Sequence, residues 1–144
     1  MARKHHLKLY GRLYKMVQGE RCVYCALDAQ CRDHVPALDS VACRGRTRRL
    51  WLIPACSECN SALGARPLRI MSARRAYLHC FYRQRYARTL HQQPWTDSEL
   101  ADMGAEMVRR IEDAELLRLE VLERLHALAG EKETETYTTG GELE

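Results

Sequence analysis

Two Cys-x-x-Cys pairs, Cys22 with Cys25 and Cys56 with Cys59, constrain this chain more than any other feature of its 144 residues. Each pair can form a knuckle turn that aims two thiolates at one ion, and two knuckles close a tetrahedral four-sulfur zinc site. Thirty residues lie between the pairs, so one clamp fixes both ends of that segment. The segment carries Asp33 and His34, and Asn60 follows the last cysteine directly. A carboxylate, an imidazole and a carboxamide held by one staple form an active-site inventory. Cys31, Cys43 and Cys80 are left over. Cys31 and Cys43 lie inside the clamped segment and could substitute as ligands, although neither has an x-x-Cys partner. Seven cysteines would strand a thiol in a disulfide framework but suit a zinc protein, and with no apolar stretch behind the charged N-terminus the expected location is a reducing cytoplasm.

Charge is divided along the chain. Residues 1–95 hold 18 Lys and Arg against 5 Asp and Glu, while residues 96–144 hold 5 against 14, giving +13 and −9 within a net +4. A polycation of this kind attracts a polyanion, and nucleic acid is the commonest one in a cytoplasm. No run approaches the roughly 20 apolar residues of a membrane helix, so no membrane partner is expected. The hydrophobic fraction of 46% is enough for one compact domain with an appendage.

Leu7, Tyr10, Leu13, Tyr14 and Val17 predict a short amphipathic helix over 5–18, ended by Gly19. The stretch up to Val35 reads as extended, since Pro36 cannot continue a strand. A basic loop follows, with Arg44, Arg46, Arg48 and Arg49 crowding its end. Leu50–Ile53 then reads as a buried strand bounded by Pro54, which makes a hairpin with a basic tip. A helix starts at the second knuckle. Another, from a Ser72 cap to about 92, places Ala73, Ala76, Tyr77, Cys80 and Phe81 on one face. Its other surface carries Arg74, Arg75, Arg83, Arg85 and Arg88 with Tyr82 and Tyr86 interleaved, which suits either phosphate contact with stacking or a plain scaffold face.

Thr96–Glu99 supplies a cap for a long helix. Its stripe of Leu100, Met103, Met107, Ile111, Ala114, Leu117, Val121, Leu125 and Leu128 has a coiled-coil-like period. The first expectation for this stripe is a homodimer through 97–129, the second is packing back on its own domain, and the third is a protein partner for the acidic helix. Residues 131–144 are acidic and rich in Thr and Gly, the composition of a disordered tail. Three parts result: a basic zinc-stapled domain (1–95), a long amphipathic helix (96–130) and an acidic tail (131–144).

Asp33 is a hard oxygen ligand for a magnesium-type ion, Asn60 a neutral one, and a neutral His34 imidazole can act as general base toward water. The set can attack a phosphodiester while a metal stabilises the leaving oxygen. Adjacent residues in a strand face opposite ways, so Asp33 and His34 can share a site only where the strand bends. Each also has a plain structural use: Asp33 as a turn cap, His34 as a hydrogen-bonding filler, Asn60 as a helix-start residue.

Cys-x-x-Cys, then Asp-His-Val-Pro at 33–36, then Leu-Ile-Pro-Ala-Cys-Ser-Glu-Cys-Asn at 52–60 resembles the HNH endonuclease superfamily, and most of all its recombination endonuclease VII branch from bacteriophages. The resemblance covers about residues 7–90. It implies an α+β fold: a small zinc-bound ββα-metal (His-Me finger) module surrounded by helices, with the long C-terminal amphipathic helix appended. It also implies a structural zinc on Cys22, Cys25, Cys56 and Cys59, a catalytic Mg2+ or Mn2+ on Asp33 and Asn60, and His34 activating water. The expected activity is a DNA endonuclease in a bacterial or phage-infected cell, leaving 5′-phosphate and 3′-hydroxyl ends, with Arg44, Arg46, Arg48, Arg49, Arg74, Arg75 and Arg83 on the nucleic acid. The alternative is a degenerate member that keeps the zinc and binds DNA or a protein without cutting. Many HNH proteins carry Asn where this chain has Trp51 and Lys where it has Leu63, while Gly64 is kept.

Overall fold

The computed structural model describes residues 15–16, 18–35, 37 and 51–130. The helix predicted over 5–18 lies largely outside them, as do the basic loop with its four arginines and the acidic tail. Strand β1 (Cys31–Val35) pairs antiparallel with β2 (Trp51–Ala55), setting Asp33 opposite Ile53 and His34 opposite Leu52. Helix α1 (Ser57–Leu63) follows β2 after a single residue. Helix α2 is Met71–Arg85, α3 is Ala87–Leu90, α4 is Asp97–Ala101 and α5 is Ala105–Ala129. The chain is α+β, as expected.

A two-stranded sheet packed on one side buries alternate residues. Asp33, Val35, Ile53 and Ala55 face inward and are buried, and Leu52 and Pro54 on the other face are half-buried. Trp51, on the inward face but at the first position of β2, is 45% exposed, so the strand read as buried is covered unevenly. Pro54 belongs to β2 rather than bounding it. Its carbonyl points to the outer edge and accepts from the Val23 N–H (3.1 Å), so the missing proline N–H costs no ladder bond.

Cys56 is the N-cap of α1: its sulfur accepts from the Cys59 N–H, and Gly64 at φ 51° closes the other end by donating to the Asn60 carbonyl. Helix α2 starts from Ile70 and not from Ser72, which lies inside its first turn. Its buried face is Arg74, Leu78 and Tyr82, one residue round from the predicted stripe, and Cys80 and Ala76 are exposed. The physical reason is that an arginine can occupy a core position when a buried carboxylate awaits it.

The predicted cap at Thr96 forms a full capping box with Glu99. The helix it starts is short, and the chain restarts after Gly104 as α5, whose 25 residues reach roughly 37 Å. Val121, Arg124 and Leu128 turn the C-terminal half of α5 onto α2 and α3. The second expectation for the stripe, packing back on its own domain, therefore describes this half. Farther along the predicted stripe Met107 and Leu117 are exposed, and so on the opposite side of α5 are Leu116, Leu119 and Leu122. No helix among the described residues is long and apolar enough to cross a membrane.

Candidate metal centre and hairpin face

The first knuckle hangs on the turn between Arg21 and Asp28. Cys22 donates to the Leu27 carbonyl (2.6 Å) and Ala26, at φ 60°, donates back to Cys22 (3.0 Å). The second knuckle is the N-terminus of α1. Together they bring the four sulfurs of Cys22, Cys25, Cys56 and Cys59, all buried, within 4.8 Å of one another. Sulfurs at zinc–sulfur distances of about 2.3 Å around a tetrahedron stand about 3.8 Å apart, and Cys25 and Cys56 stand at 3.7 Å. The set fits a structural zinc in ligand type, number and spacing, and four sulfurs leave no open position for chemistry. Cys31 is outside the cluster, with its sulfur against the Ala55 carbonyl, and Cys80 is exposed.

Crowding divides the thiols. Hydrogen bonding from Cys22 lowers Cys25 to about 7, and Cys56 lies far lower through Cys22, Cys25 and Cys59, while Cys22 and Cys59 are pushed up. An entering zinc ion would displace the thiol protons, since the ligand form of cysteine is the thiolate.

Around the sulfurs stands a set of groups that charge and periodicity did not reveal. The Tyr82 hydroxyl lies 3.1 Å from Cys59 Sγ. Arg124, from α5, donates to Cys56 Sγ (3.7 Å), Tyr82 Oη (3.1 Å) and Glu58 Oε2 (2.6 Å). Its guanidinium lies 4.4 Å from the Tyr82 ring centre. Burial opposes the charge of Arg124, yet the Glu58 and Tyr82 contacts outweigh it and raise its pKa. Tyr82 is fully buried, so it does not offer its ring to a base as the exposed-face reading required.

On the hairpin, Asp33 is only 3% exposed. Its Oδ2 accepts from the Tyr24 hydroxyl (2.6 Å) and from Arg74 (2.5 Å). Arg74, fully buried, also donates to Tyr24 Oη (2.8 Å) and the Leu68 carbonyl (2.7 Å). Burial would lower the Arg74 pKa, but Tyr24 and Asp33 raise it overall. Burial, then Asp33, pushes Tyr24 up. Arg74 therefore cannot touch a phosphate, which corrects its placement on the nucleic-acid face. Arg75 is half-buried on the Val23 carbonyl (3.0 Å), and Arg83 is exposed.

The strand does not bend at Asp33–His34. The register runs unbroken to Val35, so Asp33 faces the Tyr24–Arg74 cluster and the half-buried His34 faces the other way. Asn60, also half-buried, stands on α1 one residue past Cys59, and its backbone carbonyl caps Gly64. For a divalent ion the hard oxygens are Asp33 Oδ1 and the Asn60 carboxamide. Asp33 Oδ2 is held by Arg74 and Tyr24, and among the described residues the group of His, Cys, Asp or Glu side chains whose ligand atoms converge is the four cysteines.

Comparison with protein-family profiles, curated proteins and solved structures gave no match.

Proposed function

We propose that this chain is a zinc-stapled ββα endonuclease that hydrolyses DNA with a divalent ion. The observation that carries the reading is the order of parts: β1 with Asp33 and His34, β2, then α1 with Asn60, closed at both ends by the four-cysteine cluster. The zinc would be structural. For His34 to accept the proton of the attacking water, a role a neutral imidazole fills near pH 7, the end of β1 would have to turn when substrate binds, because the register sets His34 on the face opposite Asp33. Asp33 and Asn60 would hold the divalent ion, which when bound supplies charge stabilisation for the leaving oxygen. Arg83 and Arg88, exposed on and just beyond α2, would grip the backbone together with the loop arginines. Self-association through the exposed Leu116, Leu119 and Leu122 would place two such sites on one duplex.

A second reading, a module that keeps the zinc and the DNA grip without cutting, is favoured by a specific observation. Asp33 is buried and engaged by Arg74 and Tyr24 while His34 faces away from it. The discriminating experiment is nicking of supercoiled DNA by purified protein in Mg2+ or Mn2+ against chelator, beside His34→Ala. Metal-dependent nicking lost in the variant supports the nuclease. Tight, salt-sensitive binding without nicking supports the second reading.

A further inference from the structure

We infer that Arg124 and Tyr82 are outer-sphere donors to the zinc thiolates, which makes the C-terminal helix α5 part of the zinc centre instead of an appendage. The inference rests on the zinc reading above. A zinc ion with four thiolates carries net charge −2, and such a charge in a buried site needs compensating donors. All four cysteines are buried. Arg124 is the cation that the described residues bring to them, 3% exposed and with one guanidinium nitrogen 3.7 Å from Cys56 Sγ. The same nitrogen lies 3.1 Å from Tyr82 Oη, and that hydroxyl lies 3.1 Å from Cys59 Sγ. With the sulfur as thiolate only the hydroxyl can donate, so the chain runs from guanidinium to phenol to sulfur. The Cys59 N–H adds a third donor, to Cys56.

Arg124 enters from 68 positions beyond Cys56. Its seat is made by α5 docking, with Val121 and Leu128 buried on either side of it in sequence and Glu58 of α1 accepting from its other terminal nitrogen. Helix docking and metal retention are thereby linked, each favouring the other by the same free energy. Outer-sphere partners that orient and offset metal ligands typically change metal affinity 10–100-fold when removed.

The test loads the full-length chain with Co2+ in place of zinc and reads the thiolate-to-cobalt charge-transfer band and the rate at which a chromophoric chelator strips the metal. Donated hydrogen bonds make the sulfur a poorer electron donor, so Arg124→Met should move the band to lower energy and speed stripping about tenfold. Tyr82→Phe should shift the band the same way by less, and Arg124→Lys should fall between wild type and Met, keeping the charge without the fork. Val121→Ala, which loosens α5 but removes no donor, should shift the band by less than Arg124→Met. If Arg124→Met does not fold, Tyr82→Phe and Arg124→Lys decide the matter alone. An unmoved band and stripping rate in the Arg124 and Tyr82 variants overturn the inference, as does an equal shift in Val121→Ala. A wild-type chain that shows no charge-transfer band overturns the zinc reading itself and the inference with it.

Discussion

The described residues contain two buried arginine–tyrosine pairs, and they are satisfied differently. Arg74 lies against Tyr24 and meets Asp33, a carboxylate as buried as itself, so that donors and acceptors close on one another behind the hairpin. Arg124 lies against Tyr82 and meets Glu58, whose side chain is 28% exposed and also binds Tyr86 and Arg85. Its remaining reach goes to the Cys56 sulfur, and its Nε has no hydrogen-bond partner among the described residues. The first pair is a closed structural bolt between α2 and β1. The second leaves positive charge directed at the four sulfurs.

Removing the clamp beneath both pairs has the largest expected effect. Cys56→Ser should lose zinc and the cooperative fold, because a structural zinc contributes on the order of 10 kcal/mol. Elemental analysis and circular dichroism of the purified variant check it, and a folded variant retaining one zinc per chain would break the account of both clusters. Next comes Arg74→Met, expected to cost about 3–5 kcal/mol in urea unfolding because it strands a buried carboxylate. Asp33→Asn together with Arg74→Met should cost less than the two separate losses added, as expected of partners in one pair. Arg124→Met should cost less, about 1.5–3 kcal/mol, because Glu58 can turn to water. A reversed order would erase the distinction between bolt and outer-sphere donor.

Smaller again, Tyr24→Phe should cost about 1–3 kcal/mol, since it removes a donor from a buried carboxylate. The smallest effect lies in the knuckle that carries both Tyr24 and two of the sulfurs. Ala26 holds a left-handed backbone, which costs an L residue roughly 1–2 kcal/mol relative to glycine, partly offset by glycine's greater unfolded freedom. Ala26→Gly should therefore raise stability by about 0.5–1 kcal/mol, with a matching rise in urea midpoint and no change in zinc content.

Much of this was legible in the chain. The Cys-x-x-Cys spacing located all four clustered sulfurs, the extended run before Pro36 and the Leu50–Ile53 run located both strands, and Thr96 with Glu99 located a helix start. The two arginines were not legible, and the reason is physical. Charge and periodicity place an arginine on the surface by default, and only a carboxylate 41 residues away, or a cluster of sulfurs 68 residues away, makes burial favourable. The same default rotated the reading of α2 by one residue, away from Arg74–Leu78–Tyr82. Thr96–Ala129 read as one continuous helix because its apolar period runs on through Asp102–Gly104, where the chain breaks. The exposed Trp51 was misread because a run of apolar residues does not reveal where the cover of a strand ends: Trp51 shares its face with the buried Ile53 and Ala55 but stands at the first position of β2.

Zinc K-edge X-ray absorption on the purified full-length protein tests the central claim, that four cysteines from two knuckles organise the ββα unit around one ion. The account predicts one zinc per chain with four sulfur neighbours at about 2.3 Å. A shell containing nitrogen or oxygen, or a folded protein with no stoichiometric zinc, would contradict it.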